Sequence, residues 1–152
     1  MRVELRDEAA TLDFGARLAA ARPPMPSRAM KVALHGDLGA GKTTLTRGFL
    51  RSLGVAGSVR SPTFSLLESY ELEGLTVVHL DLYRLRNSSD VRGLGLADYD
   101  HHDCLWMVEW PERATGVLGD FDLEVTLQVA GDGRQAELSA GSEVGRQWLQ
   151  AM

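Results

Sequence analysis

The sequence predicts an α/β fold whose central sheet contains both parallel and antiparallel strands. Two continuous apolar segments, residues 31–35 and 104–109, have the pattern of buried strands, and a glycine-rich loop leads from the first into a helical segment. Near the end of the chain, two strand-like segments flank the turn at residues 131–133. A strand–helix unit followed by hairpins is typical of a mixed sheet covered by helices.

The N-terminal half is predicted to contain two helices and one strand. Asp7 caps a helix that runs to about residue 21, where three prolines end it. The strand at residues 31–35 follows, and after the loop a second helix covers residues 43–53 with Gly54 as its C-cap.

The C-terminal half is predicted to be richer in strands. A weakly alternating strand at residues 64–71 turns back at Glu73-Gly74 into a clear strand at 76–81. Asn87 begins a helix that Gly93 and Gly95 weaken. The remaining elements are the strand at 104–109, the hairpin strands at 121–129 and 135–138, and a last helix that Ser142 caps and that carries Trp148.

Composition limits the classes of function. The 152 residues, 44% apolar and 24% charged, indicate a single globular domain over residues 1–152. The net charge of −5, without any basic block, argues against tight direct binding of nucleic acid. We expect neither a signal peptide nor a membrane span, and a cytoplasmic location. Cys104 is the only cysteine, which excludes an intrachain disulfide.

The most informative feature is a glycine-rich loop that fits the phosphate-binding pattern G-x-x-x-x-G-K-[ST]. Its glycines let the turn wrap around an anion, while backbone N–H groups and the following helix N-terminus point at the phosphates. Lys42 would reach the terminal phosphates, and the Thr43 hydroxyl would ligate Mg²⁺. The loop therefore predicts a three-layer P-loop NTPase. Its nucleotide-binding residues would be Gly36, Asp37, Leu38, Gly39, Ala40, Gly41, Lys42, Thr43 and Thr44.

Hydrolysis also needs an acid near Mg²⁺ and a group that senses the terminal phosphate. Two apolar strands end in acids, Asp81 and Glu109, at the sheet edge where α/β folds build ligand sites. Either acid could hold Mg²⁺ directly or through water, and the alternative is a strand-end carboxylate in solvent. Thr63, after Ser61 and Pro62, could turn towards Mg²⁺ as a switch segment does, although an ordinary turn explains this segment equally well.

Other polar or aromatic residues are better explained by structural roles. His79 lies on the same strand face as Asp81, and a hydrogen-bonded structural histidine is the favoured interpretation. The run of residues 101–104 contains His, His, Asp and Cys. Adjacent side chains of a loop should point apart, so a zinc site is disfavoured. Trp110 is expected in the core unless it anchors an interface.

The favoured nucleotide is ATP, because the Asn-Lys-x-Asp motif of guanine-binding GTPases is absent and Asn87, the only asparagine, precedes Ser. Three functions remain open: an ATPase that regulates a partner, a small-molecule kinase, and a nucleotide-binding module without significant turnover. A kinase would use Arg84, Arg86 and Arg92 as a lid.

Four ordered motifs together resemble the bacterial TsaE (YjeE) family. They are the phosphate loop, Ser-Pro-Thr-Phe at 61–64, His-Leu-Asp-Leu-Tyr-Arg at 79–84 and Val-Glu-Trp-Pro-Glu at 108–112. The resemblance implies a small cytoplasmic ATPase, with ATP and Mg²⁺ as cofactors, that is needed to make threonylcarbamoyladenosine in tRNA. Such a protein binds the TsaB–TsaD pair and hydrolyses ATP to reset that complex. It does not transfer the threonylcarbamoyl group, and its link to tRNA is indirect.

The resemblance also implies roles for individual residues. Lys42 binds the phosphates, Thr43 and Glu109 bind Mg²⁺, and Asp81 is the catalytic or water-positioning acid. Thr63 belongs to the switch-like segment, and Trp110 gains weight as a functional aromatic residue. Thr11 and Arg134 match positions that contact the nucleotide.

Overall fold

The computed structural model describes residues 1–152 as seven strands and three α-helices. The strands are β1 (Arg2–Leu5), β2 (Met30–His35), β3 (Leu67–Leu72), β4 (Leu75–Asp81), β5 (Cys104–Glu109), β6 (Leu123–Ala130) and β7 (Gly133–Ala140). The α-helices are α1 (Glu8–Ala20), α2 (Lys42–Ser52) and α3 (Glu143–Ala151), and three 3₁₀ helices span Ser88–Leu94, Leu96–Tyr99 and Pro111–Ala114. No helix combines the length and the apolar composition that crossing a membrane requires.

All seven strands form one sheet in the order β1-β7-β6-β2-β5-β4-β3. Its centre is parallel, because β2 pairs with both β5 and β6, and β5 also pairs with β4. Its margins are antiparallel: β3 pairs with β4 on one side, while β7 pairs with β6 and β1 on the other. The mixed sheet that the sequence predicts is therefore confirmed.

The three α-helices cover one face of the sheet. Phe14 of α1, Phe49 of α2 and Trp148 of α3 share a buried core with inward-facing strand residues such as Val32. Trp148 is fully buried, and its indole N–H donates a hydrogen bond of 2.8 Å to the carbonyl oxygen of Leu18. This hydrogen bond fixes the last helix against the first, because a buried indole N–H needs an acceptor.

The 3₁₀ helices form the layer on the opposite face. Val91, Leu96 and Ala114, one from each of these helices, pack in a second core with Trp106 and Val108 of β5. The fold thus has three layers, as predicted, but its third layer consists of short, tight helices. This architecture leaves the carboxyl edge of the parallel strands open between the layers.

Two margins of the sheet differ from the sequence-based prediction. Strand β1, which pairs with β7 at positions such as Val3 and Ala136, was not predicted. Its residues alternate between polar and apolar, but the strand is only four residues long and largely exposed, so its local signal is weak. Strand β3 begins at Leu67, so the predicted start at residue 64 is wrong. Leu66, just before it, has a φ of 64° and donates its backbone N–H to the Pro62 carbonyl at 2.7 Å, which makes this stretch a turn.

The parallel centre of the sheet determines where the site lies. Strands β2, β4 and β5 run in the same direction, so their carboxyl ends meet at one edge. In the register of the sheet, Glu109 lies beside Leu34 on one side and beside Asp81 on the other. The loop that leaves β2 therefore begins next to both acids.

Candidate functional site

The glycine-rich loop joins β2 to α2 in a conformation that side chains would obstruct. Gly36 and Gly41 have φ values of 137° and 108°, in the left-handed region that favours glycine. A Cβ on Gly36 would also lie 2.4 Å from the carbonyl oxygen of Leu127. Gly41 is the N-cap of α2, so no side chain caps the helix, and its first turn carries no acidic residue. The helix N-terminus is thus left open to an anion.

Lys42 is 4% exposed and lies under the loop. Its ammonium group donates hydrogen bonds to the carbonyl oxygens of Gly36 and Asp37, the second at 3.0 Å, and lies 4.1 Å from the ring centroid of Trp110. Burial lowers the pKa of the Lys42 ammonium, and the negative charge of Glu109 opposes this shift. A cation held by neutral carbonyls and an aromatic face is available to an incoming phosphate.

Glu109 links the end of β5 to the start of α2. It is 3% exposed, and its Oε1 accepts a hydrogen bond of 2.9 Å from the hydroxyl of Thr43. A second hydrogen bond of 2.8 Å joins the same oxygen to Nε2 of His79 on the neighbouring strand. The structure therefore brings together Thr43 and Glu109, the two residues to which the family resemblance gives a role in Mg²⁺ binding.

Asp81 is held by the segment that precedes β3. Its Oδ2 accepts hydrogen bonds from the hydroxyls of Ser61 and Thr63, the second at 3.2 Å. Its Oδ1 accepts the backbone N–H of Tyr83 at 3.0 Å. Asp81 is 4% exposed, so the alternative of a strand-end carboxylate in solvent does not apply to it, or to Glu109.

These residues line one cavity of about 400 Å³. All five of Lys42, Thr43, Thr63, Asp81 and Glu109 contribute to its wall. The loop adds further predicted residues, namely Leu38, Gly39, Gly41 and Thr44. Gly36, Asp37 and Ala40 instead face a separate groove beside β6, where the loop turns away from β2.

Thr11 and Arg134, which are distant in sequence, both lie beside the loop. An atom at the Cβ position of Gly41 would be 3.5 Å from Cγ2 of Thr11 and 3.8 Å from Nε of Arg134. Arg134 also donates a hydrogen bond of 3.5 Å to the carbonyl oxygen of Gly39. The packing of α1 and the hairpin β6–β7 around the loop thus places both residues next to the glycine-rich turn.

Comparison with known proteins identifies the family. The family model described as "Threonylcarbamoyl adenosine biosynthesis protein TsaE" matches residues 5–136. The chain belongs to the TsaE family. This family takes part in the biosynthesis of threonylcarbamoyladenosine in tRNA. The matched span contains every residue of the cavity and leaves α3 outside.

Individual relatives agree with this assignment. The tRNA threonylcarbamoyladenosine biosynthesis protein TsaE of Haemophilus influenzae is 39% identical over 146 residues, which cover 95% of this chain and 92% of the relative. The TsaE protein of Bacillus subtilis is 40% identical over 101 residues, covering 66% and 63%. The fold is similar to the crystal structure of Bacillus subtilis YdiB, with a TM-score of 0.75 and 26% identity over 99% of this chain and 91% of that one.

Four residues of the cavity wall were not among the predicted catalytic or binding residues of this TsaE-family chain: Ser61, Tyr83, Arg84 and Trp110. For Trp110, the residue pattern alone favoured a place in the core, and the family resemblance favoured a functional role. Its side chain is half buried, and its ring lies 5.0 Å from that of Tyr83. Its φ of 58° is rare for a bulky residue and turns the chain out of β5. The signal in the sequence was position, because each of the four lies within three residues of a predicted site residue.

The arginine lid of the kinase alternative is not assembled. Arg84 lines the cavity, and its guanidinium lies 4.4 Å from the ring centroid of Phe64. Arg92 lines a different cavity, on the face of the sheet that the 3₁₀ helices cover. Of the three arginines predicted for the lid, Arg84 alone lines the cavity beside the loop.

The residues at the start of β5 are closer together than predicted. The ligand atoms of His101, His102 and Asp103 all lie within 4.8 Å of one another, so the expectation that these side chains point apart is wrong. His102 Nε2 lies 3.0 Å from the Asp103 carboxylate, and His101 lies against the buried Cys104. These local pairs account for the proximity. The cluster lies at the amino end of β5, away from the loop.

Proposed function

We propose that this TsaE-family chain is an ATPase that binds Mg-ATP in the cavity beside the glycine-rich loop and hydrolyses it. The observation that carries the proposal is the hydrogen bond between Thr43 and Glu109 at the open N-terminus of α2. It joins a phosphate-binding turn to a buried carboxylate, which is the arrangement that a metal–triphosphate ligand needs.

Each residue of the cavity has a part in this proposal. Lys42 exchanges its loop carbonyl partners for the terminal phosphates, because an anion is a stronger acceptor for its ammonium group. Thr43 donates its hydroxyl hydrogen to Glu109 and keeps its oxygen lone pairs for Mg²⁺. Glu109 holds the metal directly or through a water molecule. Mg²⁺ would neutralise charge that develops on the transferred phosphoryl group.

Asp81 is proposed as the acid that positions the attacking water. Its carboxylate faces the cavity but is engaged by Ser61 and Thr63. We infer that these hydroxyls form a switch segment, which releases Asp81 when Thr63 turns to the terminal phosphate. The segment ends at Leu66, which has a positive φ and whose carbonyl oxygen accepts a hydrogen bond from the N–H of Asp81. This end of the segment is therefore anchored beside Asp81, while its hydroxyl groups contact the carboxylate.

The nucleotide is proposed to be ATP. Thr11 and Arg134 flank the loop and would contact the nucleotide there, as the family resemblance implies.

The chain acts as one P-loop domain in the cytoplasm and works on the TsaB–TsaD complex, which it resets for further turnover. With a net charge of −5, it needs no tight contact with tRNA and is linked to it through these partners.

ATP hydrolysis with and without the purified TsaB–TsaD pair tests this proposal. We expect slow phosphate release by the chain alone and a clear stimulation by the pair. The stimulation should be absent in a Glu109→Ala variant. A rate that the partners do not change, or transfer of the phosphate to a metabolite, would contradict the proposed function.

A further inference from the structure

His79 is a fully buried polar residue whose only polar partner is Glu109. Its side chain is 0% exposed, and the Nε2–Oε1 distance is 2.8 Å. The two residues lie on the adjacent parallel strands β4 and β5, on the face that α2 covers. Burial of a polar ring is unfavourable unless it makes a hydrogen bond, so this contact determines how the ring is oriented.

The surroundings of the ring select its tautomer. Nδ1 of His79 is buried and has no hydrogen-bond partner. A hydrogen on Nδ1 would therefore be a buried, unpaired donor, and the Nε2 lone pair would face a carboxylate lone pair. The tautomer with hydrogen on Nε2 avoids both problems. In it, His79 donates a hydrogen bond to Glu109.

Oε1 of Glu109 therefore receives two hydrogen bonds from different elements. His79 donates from the sheet, and Thr43 donates from the first turn of α2. Oε2 of Glu109 accepts none from the protein. Two donors on one oxygen fix the carboxylate in a single orientation and leave the second oxygen available to a cation or to its water ligand.

We propose that His79 is a positioning residue for Mg²⁺-dependent nucleotide binding, because it fixes the carboxylate of Glu109 through the Nε2–Oε1 hydrogen bond. This inference rests on the proposed function and adds a residue to its metal site. His79 does not contact the nucleotide; it acts through Glu109, as hydrogen-bond partners of metal ligands commonly do.

The test measures binding of a fluorescent ATP analogue over a Mg²⁺ titration and in EDTA. His79→Phe removes the donor and keeps a ring of similar size, and we expect the Mg²⁺ concentration for half-maximal binding to rise about 10-fold or more. Affinity in EDTA should stay within about twofold of the wild type, since no metal is bound there. His79→Gln, whose side-chain amide also donates, should restore the Mg²⁺ response to within about threefold.

A double-mutant cycle separates positioning from general damage to the fold. In a Glu109→Ala background, His79→Phe should cause no further change in the Mg²⁺ response, because its target is already absent. An additive loss, an unchanged Mg²⁺ response of His79→Phe, or an equal loss in EDTA would overturn the inference. If His79→Phe does not fold, His79→Asn takes its place. The side chain of this variant is too short to reach Glu109, and its Mg²⁺ response is then compared with that of His79→Gln.

The Mg²⁺ response of the wild type distinguishes a failure of this inference from a failure of the proposed function. If the wild type shows no Mg²⁺-enhanced nucleotide binding, the proposed function fails and the role of His79 fails with it. If the wild type responds normally to Mg²⁺ and His79→Phe matches it, only the role of His79 is overturned.

Discussion

At the scale of residues, the hydrogen bonds of the Asp81 carboxylate bear directly on its proposed role in hydrolysis. Both of its carboxylate oxygens already accept hydrogen bonds, Oδ2 from Ser61 and Thr63 and Oδ1 from the N–H of Tyr83. A carboxylate that orients water needs a free lone pair directed at that water. Oδ2 is fully occupied and Oδ1 keeps one lone pair, so under the proposed function a movement of Ser61 and Thr63 would free Oδ2 for the attacking water.

An Asp81→Asn variant separates binding from hydrolysis. The amide keeps an acceptor for the Tyr83 N–H but lacks the negative charge that would hold and polarise the attacking water, so hydrolysis should fall about 100-fold or more. ATP affinity should stay within about threefold, because Asp81 is not proposed to hold the phosphates. Phosphate release and equilibrium binding measure the two effects. Asp90→Asn, at an exposed position, is the matched control, and an Asp81→Asn variant that hydrolyses ATP normally would contradict this role.

At the scale of elements, the contact between α1 and α2 aligns the loop with its neighbours. The two helices approach so closely that glycine is required on each. A Cβ on Gly15 would lie 2.2 Å from the carbonyl oxygen of Leu45, and a Cβ on Gly48 would lie 2.1 Å from that of Leu12. This close approach brings Thr11 to the start of α2, where the loop ends.

Gly15→Ala should therefore destabilise the fold. The added methyl group meets backbone atoms that cannot move independently, so we expect the free energy of unfolding to fall by about 2 kcal/mol or more. Chemical denaturation measures this change. Gly93→Ala is the control, because nothing lies within 4 Å of a Cβ there and its φ is ordinary. Equal stability of the two variants would show that the helices separate easily.

The elements also show how far the sequence could be interpreted. Strands β4 and β5, helix α1 with its Asp7 cap and the hairpin turn after Ala130 were predicted because their signals are local. Strand β1 depends on pairing with β7, and the 3₁₀ helices depend on burial of Val91 and Leu96 against the sheet. Neither of these causes is visible in a short window of sequence.

At the scale of the whole molecule, one buried acid connects several elements near the amino ends of the parallel strands. Asp122, at the start of β6, accepts hydrogen bonds from the guanidinium of Arg28, the backbone N–H of Lys31 and the hydroxyl of Ser142. Ser142 is also the N-cap of α3. Burial raises the pKa of Asp122, but the hydrogen bonds from Arg28, Ser142 and Lys31 outweigh it, so the net pKa is lowered.

The stabilisation that Asp122 gives should depend on pH. Since its folded-state pKa is lowered, the contribution is complete above the unfolded pKa of about 4 and is lost as pH falls through the folded pKa. Asp122→Asn should lower the free energy of unfolding by about 2 kcal/mol at pH 7. The difference from the wild type should shrink below about pH 4. Denaturation at several pH values measures both effects, with the exposed Asp132→Asn as control. A difference independent of pH would contradict this account.

The candidate site shows the same division between local and tertiary information. Lys42 and Thr43 follow from a contiguous motif, and Asp81 and Glu109 follow from two strands that end in acids. The contacts around these residues could not be predicted without the tertiary structure. Thr11, for example, reaches the loop only because α1 packs closely against α2. The hydrogen bond between His79 and Glu109 joins side chains from two strands that only the sheet register brings together.

Calorimetric titration with ATP in the presence of Mg²⁺ is the most direct test of the central claim, that the loop binds a nucleoside triphosphate. The wild type should bind ATP, and Lys42→Ala should lose roughly 100-fold in affinity, since a charged hydrogen bond to phosphate is removed. Lys31→Ala, the change of the only other lysine, should bind like the wild type because Lys31 hydrogen-bonds to Leu118 at the far edge of the sheet. Equal ATP affinity of Lys42→Ala and the wild type would contradict the account.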